Sequence, residues 1–149
     1  MSGTHDFAAP PERVFAAVLD PRILLAVIPG CQGVEEVAPG EYLGRIVLRL
    51  PGAAGTYRTH VRLVDVREPT AAGLEGRVDG AMGAIAGRAD FTLQPAADGG
   101  TRLDYAGDGR IDGPLARLDG SIAERLATSL IDQGLTALEA RCSTTEDAE

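Results

Sequence analysis

The feature that most constrains this chain is a period-two alternation that recurs in five segments of its central part. In residues 56–67, for example, Arg58, His60 and Arg62 alternate with apolar or hydroxyl-bearing residues. The same alternation is found in residues 41–50, 73–80, 84–94 and 101–111. Successive side chains of a strand point to opposite faces, so the pattern predicts an antiparallel sheet with one face in water. The connections between the segments are short and turn-like, which favours a meander.

Helical patterns flank these strands. The other predicted elements are a strand at residues 2–8, a helix ending at Asp20-Pro21, a helix at 21–27, a strand from Gly33 and a helix at 114–141. The long helix is predicted because its apolar residues recur at spacings of three or four, on one face. A sheet with one dry face must bury that face, and this helix is the long apolar element that can cover it. The fold class is therefore α+β.

One domain accounts for the chain. A length of 149 residues is that of an ordinary single domain, and we assign residues 1–142 to it. Residues 143–149 are acidic and are predicted to form a flexible tail. The N-terminus has no signal-peptide pattern, and the two cysteines, 111 residues apart, are expected to be reduced. We expect a cytoplasmic protein.

Glycines share the inward phase of the predicted strands with the aliphatic residues. Six of them do so, namely Gly44, Gly76, Gly80, Gly87, Gly107 and Gly109. Glycine within a strand marks a bend or a place left without side-chain bulk, so we expect a curved sheet with a cavity beneath the long helix. The alternative is that the glycines only permit curvature and that the helix side chains fill the space. If Gly87 and Gly107 border a cavity, replacing either with Leu should weaken ligand uptake more than folding.

The chain resembles the CoxG family of carbon monoxide dehydrogenase subunits over about residues 2–140. The resemblance is carried by Asp20-Pro21, Ile28-Pro29-Gly30-Cys31 and the segment Gly80-Ala81-Met82-Gly83-Ala84. That family belongs to the START-like, helix-grip (SRPBCC) superfamily, and it implies seven strands, two short helices after the first strand and an apolar cavity. It also implies an accessory role beside molybdenum-containing hydroxylases, with membrane recruitment or the handling of lipid-soluble quinones. Some relatives continue into an apolar C-terminal segment, whereas this sequence stops at an acidic tail, so we expect membrane contact to be transient at most.

The predicted cavity lining consists of inward-phase residues of the strands together with apolar residues of the helices. These are Leu24, Ile28, Ile46, Leu48, Tyr57, Thr59, Val61, Val78, Met82, Ile85, Gly87, Phe91, Tyr105, Gly107, Ile122, Leu126 and Leu130. Tyr57, Thr59 and Tyr105 offer polar groups to a ligand oxygen, although both tyrosines could instead reach the sheet rim. Met82 lies in a small-residue loop that either lines the cavity mouth or is an ordinary hairpin connection.

No catalytic or metal-binding pattern is found. His60 falls in the outward phase between two arginines, and the two His and two Cys have no zinc-ligand spacing. The chain contains no Lys, which excludes a Walker-type phosphate loop. A net charge of −8 disfavours nucleic-acid binding, which requires a basic surface. We therefore expect no cofactor and no catalytic residues.

These observations favour a non-catalytic carrier or adaptor that binds an apolar small molecule, quinone- or lipid-like, and docks on a molybdenum hydroxylase. The first alternative is a cyclase- or hydratase-type enzyme of the same fold that uses polar groups in the cavity. The second is an assembly factor for a metalloenzyme. The sequence leaves homodimer formation open, with residues 41–50 as the candidate edge strand.

Overall fold

The computed structural model describes residues 1–49, 54–117 and 120–144, without the side chains of residues 115, 120–123, 126, 143 and 144. The predicted turn at Pro51-Gly52 and residues 145–149 of the predicted tail lie outside the described residues. In chain order the strands are β1 (Ser2–Phe7), β2 (Cys31–Ala38), β3 (Glu41–Leu48), β4 (Gly55–Arg67), β5 (Ala71–Gly80), β6 (Gly83–Pro95) and β7 (Thr101–Asp112). The helices are α1 (Pro11–Leu19), α2 (Pro21–Val27) and α3 (Gly120–Thr144), with a 3₁₀ turn at Gly113–Arg117.

Over the described residues the seven strands form one curled antiparallel sheet in the order β1-β7-β6-β5-β4-β3-β2. From β2 to β7 each strand pairs with the next along the chain, so the predicted meander is confirmed. The first strand closes the order by pairing with β7. The prediction that residues 41–50 form an edge strand is wrong, because β3 pairs on both sides and the edges are β1 and β2.

The two short helices connect the two edge strands. Pro11 occupies the first turn of α1, where a missing N–H costs nothing. Asp20 ends α1 and begins α2, and its carboxylate accepts a hydrogen bond from the backbone N–H of Arg22 at 2.9 Å. This bond and the ion pair with Arg22 lower the pKa of Asp20. The Asp20-Pro21 break predicted from the sequence is therefore a cap shared by two helices.

The long helix differs from its prediction at both ends. Residues 113–117 form a 3₁₀ turn, and the α-helix begins at Gly120. The helix continues to Thr144, two residues into the segment assigned to the tail. Apolar spacing alone could not distinguish a 3₁₀ turn from the first turn of an α-helix, since both present side chains three residues apart on one side.

Buried apolar residues form two separate groups on the inner face. The larger, which we call the main core, joins α1, the C-terminal part of α3 and the β5–β7 end of the sheet. Its buried members are Phe7, Ala9, Val14, Phe15, Ala17, Val27, Ala72, Phe91, Leu93, Leu103, Leu138 and Cys142. The smaller, which we call the Tyr57 cluster, consists of Tyr57 with Leu48, Val78, Met82 and Ile111. Both cysteines are free thiols, and burial raises the pKa of Cys142.

The outer face of the sheet is charged, as predicted. One row across the strands alternates in sign, running Glu41, Arg62, Glu75, Arg88 and Asp108. Arg62 lies 3.1 Å and Arg88 3.7 Å from carboxylate oxygens of Glu75. Exposed pairs of this kind contribute little stability each, but the alternation marks this face as the one in water.

Candidate functional site

Between the two buried groups, the inner face carries a row without side chains. Gly76 of β5 lies directly opposite Gly87 of β6, which lies directly opposite Gly109 of β7. We call these three residues the glycine row. On one side of it lie Thr59, Val78, Ile85 and Ile111, and on the other Leu63, Leu74, Ala89 and Gly107.

The dimensions of this trough follow from strand geometry. The two flanking rows are four residues apart along each strand, which corresponds to about 13 Å. Ile85 faces inward and is nevertheless 39% exposed, and Gly87 and Gly109 are exposed as well. The trough is therefore open to solvent on the β6–β7 side, and it is wide enough for a flat ring or an aliphatic chain.

The three glycines differ in what a side chain would meet. A Cβ on Gly76 would lie 3.4 Å from the backbone oxygen of His60 and from Val61, close to an ordinary contact. A Cβ on Gly87 would collide with the backbone oxygen of Asp108 on the neighbouring strand. At Gly107 the nearest atoms, in Ala89 and Arg88, are 2.9 Å away. Leu at position 87 or 107 should therefore impair folding first, which corrects the expectation that ligand uptake would be the more sensitive.

Two other glycines are covered by tyrosine rings. Tyr57 lies directly opposite Gly80, and Tyr105 lies directly opposite Gly3. A Cβ on either glycine would fall within 2.7 Å of the paired tyrosine side chain. These glycines let an aromatic ring lie flat across the neighbouring strand, so Gly80 does not contribute free space to the trough.

The predicted lining residues are divided among three locations. Phe91, Ile28 and Tyr105 belong to the main core or pack against it, while Leu48, Tyr57, Val78 and Met82 form most of the Tyr57 cluster. Thr59, Val61, Ile85, Gly87 and Gly107 lie in or beside the trough.

Three of the remaining predicted residues lie elsewhere around the inner face. Ile46 is paired with Tyr57, Leu24 lies on α2, and Leu130 is half-buried on α3. Ile122 and Leu126 lie among the side chains that are not described. Met82 lies in the two-residue connection between β5 and β6 and packs on Tyr57, so this segment is a tight hairpin that also contributes to the cluster.

The polar groups on the inner face are few. Burial raises the pKa of Tyr57 and Tyr105, and the charge of Asp132 on α3 raises that of Tyr105 further. Both phenols therefore stay protonated at neutral pH and can donate a hydrogen bond to a ligand oxygen, but neither is suited to act as a base.

One inward-facing residue was missed by the sequence reasoning. His5 lies in register with Leu103 and shares its face with Phe7, and its Nε2 is 3.0 Å from Oε1 of Glu139 on α3. Its phase with Phe7 was the available signal. By contrast, His60 is exposed on the outer face, 2.5 Å from Glu41, as predicted.

Two surface grooves are described, and neither is lined by the predicted residues. A groove of about 1190 Å³ lies between the start of β1 and α3, and one of about 410 Å³ lies on the outer face near Arg45 and Arg58. The described part of the chain contains no group of three or more His, Cys, Asp or Glu that could hold a metal ion. None of the described helices combines the length and apolarity needed to cross a bilayer.

Residues 3–143 match the CoxG family, whose description is that of a carbon monoxide dehydrogenase subunit. A conserved protein from Geobacillus kaustophilus has a similar structure, with a TM-score of 0.93 and 21% identity over 97% of this chain and 95% of that one. A START superfamily protein from Mycobacterium smegmatis has a TM-score of 0.76 and 16% identity over 97% of both chains.

The di-domain ARO/CYC StfQ from the steffimycin biosynthetic pathway has a TM-score of 0.67 and 16% identity, over 99% of this chain and 46% of that one. At such identities these structures show a shared fold. A search of curated protein sequences found no match.

Proposed function

Because the chain belongs to the CoxG family of carbon monoxide dehydrogenase subunits, we propose that it is a non-catalytic accessory protein with an apolar ligand. The ligand, a quinone- or lipid-like small molecule, lies in the trough between the sheet and α3. The protein serves a molybdenum hydroxylase of the carbon monoxide dehydrogenase type. The observation that carries the proposal is the glycine row, a strip of inner face without side chains between two aliphatic rows.

The chemistry around the trough supports binding in preference to catalysis. Its flanks are formed by Val78, Ile85 and Leu74, and ligand sites of this type are mostly apolar with a few orienting polar groups. Thr59 and the protonated phenols of Tyr57 and Tyr105 supply such groups. His5, the imidazole on this face, is engaged by Glu139.

The ligand proposal predicts that filling the trough blocks uptake. In Gly76→Leu the new side chain enters the space between the flanking rows, so binding of a short-chain ubiquinone and of palmitate should fall at least about tenfold, or 1.4 kcal/mol. Gly76→Ala is the matched control, since its Cβ makes a near-ordinary contact, and it should bind almost as the wild type does. Binding is measured by native mass spectrometry and by titration.

Two results would contradict this proposal. One is wild-type protein that captures neither probe at about 10 µM, a concentration typical of carrier affinities. The other is a folded Gly76→Leu variant that binds like the wild type. The association with a partner is tested by co-sedimentation with a purified molybdenum hydroxylase, and the absence of a complex at similar concentrations would refute that part alone.

A second candidate is an enzyme of the cyclase or hydratase kind. It is favoured by the similarity to the di-domain ARO/CYC and by the two phenols on the inner face. Under this candidate Tyr57 or Tyr105 would act as an acid, because burial keeps each protonated. Recovery of a chemically altered ligand after incubation, lost in Tyr105→Phe while binding persists, would favour the enzyme over the carrier.

A further inference from the structure

The edge formed by β1 leaves backbone hydrogen-bonding groups without partners. Met1 and Gly107 exchange backbone hydrogen bonds of 3.2 and 2.8 Å. In an antiparallel ladder such pairs recur at every second residue. Gly3, His5 and Phe7 therefore bond to β7, and the N–H and C=O groups of the residues between them point away from the sheet.

Those intervening residues are Ser2, Thr4 and Asp6, which we call the free-edge residues. All three are exposed. Within the described part of the chain, no hydrogen bond uses their backbone groups; the one contact of this set is the Thr4 hydroxyl, which donates to the Leu103 oxygen at 3.1 Å. The register of β1 with β7 is continuous from Ser2 to Phe7, so no bulge protects this edge.

The opposite edge of the sheet is built differently. The register of β2 shifts between Cys31 and Gly33 and again between Glu36 and Ala38. Bulges of this kind twist an edge away from pairing, and Glu35 and Glu36 add charge beside them. Of the two edges, β1 is the one suited to accept another strand.

We propose that β1 pairs with β1 of a second copy of this chain, in an antiparallel, two-fold symmetric arrangement centred on Thr4. This is the symmetric register in which all three free-edge residues find partners, since Thr4 faces Thr4 of the other copy and Ser2 faces Asp6. The hydroxyl of Ser2 can donate to the carboxylate of Asp6, and Thr–Thr pairs are favourable neighbours across strands. On the inner face the small Gly3 faces the larger His5.

Space beside the edge supports this arrangement. The groove of about 1190 Å³ runs between Ser2 and the polar side of α3, where Thr128 and Ser129 line it. A second strand therefore meets small hydroxyl-bearing side chains next to the start of β1. The two copies form an isologous interface, and their sheets continue across the two-fold axis.

The test compares Thr4→Pro with Thr4→Val. Both variants lose the hydroxyl bond to Leu103, but only Pro removes the outward N–H, and edge strands tolerate Pro when its N–H side faces solvent. Wild type and Thr4→Val should sediment at twice the 15.5-kDa chain mass, while Thr4→Pro should raise the dimer dissociation constant at least about tenfold. Circular dichroism should show an unchanged fold in all three.

Amide hydrogen exchange gives a second readout that does not depend on a variant. The amides of Thr4 and Asp6 should become protected as the protein concentration rises, while those of Gly3 and His5 are protected throughout. Because each copy carries a net charge of −8, salt should strengthen the dimer by screening repulsion.

Several results would overturn the proposal. Wild-type protein that remains a monomer at about 100 µM, where even weak interfaces associate, would do so, as would a dimer that Thr4→Pro leaves intact. A monomer whose Thr4 amide becomes protected only when the synthetic peptide of residues 1–8 is added would show that the edge takes a free extended segment instead of a second copy.

Discussion

At the scale of single residues, the three tyrosines share one property. Burial raises the pKa of Tyr42, Tyr57 and Tyr105, and nearby carboxylates add to the effect at Tyr42 and Tyr105. The Tyr42 hydroxyl also donates to the backbone oxygen of Leu19 at 2.8 Å. Folding therefore keeps each phenol protonated at a pH where the unfolded chain begins to release its proton.

This property predicts a loss of stability in alkali. Above about pH 10 the unfolded phenols lose protons before the folded ones do, so the unfolded state binds fewer protons and the free energy of unfolding falls as pH rises. Urea midpoints should be flat between about pH 8 and 9 and should then drop. Tyr57→Phe should weaken this drop, and a midpoint unchanged up to about pH 11 would contradict the prediction.

At the scale of elements, the β6–β7 pair determines the shape of the trough. A Cβ at Gly87 would run into the β7 backbone at Asp108, and one at Gly109 would lie 3.0 Å from the Ala86 oxygen. The two strands thus approach each other so closely on the inner face that they leave no room for side chains. The glycine row is both the line along which the sheet bends and the floor of the trough.

Single alanine substitutions separate these two roles. Gly87→Ala should lower the free energy of unfolding by about 1–3 kcal/mol, as overpacking does, because the β7 backbone must move. Gly76→Ala is its neighbour in the row and should change stability by less than about 1 kcal/mol. Chemical denaturation of the two variants makes the comparison. Equal losses would mean that the strands can separate at no cost.

At the scale of the whole molecule, the main core and the Tyr57 cluster lie on either side of the trough. Phe15 is fully buried in the main core, and its ring centroid is 6.1 Å from that of Phe91. The same strands, β5 to β7, contribute to both groups. We therefore propose that the assigned domain unfolds as one unit despite its divided interior.

A substitution in the main core tests this unity. Phe15→Ala should cost about 3–5 kcal/mol. The transition reported by tyrosine fluorescence, which includes Tyr57, should shift together with the helix signal in circular dichroism. A variant in which the tyrosine signal keeps its wild-type midpoint would show that the two groups unfold independently.

The sequence by itself determined the strands, their order and the two faces of the sheet. Alternation as in Arg58, His60 and Arg62 depends only on which side chains water accepts, and short turns leave a meander little choice. The break at Asp20-Pro21 was equally legible, because proline excludes a helical residue before it. The family resemblance drawn from these segments was confirmed over residues 3–143.

The tertiary structure alone decided what each inward glycine does. Gly76, Gly80 and Gly87 are identical in sequence terms, yet one tolerates a side chain, one lies under a tyrosine and one meets the neighbouring backbone. These differences depend on distances between strands, which no periodicity encodes. Strand pairing likewise placed Gly76, Gly87 and Gly109 in one row and made β1 an edge, because register is a relation between segments that lie far apart in the chain.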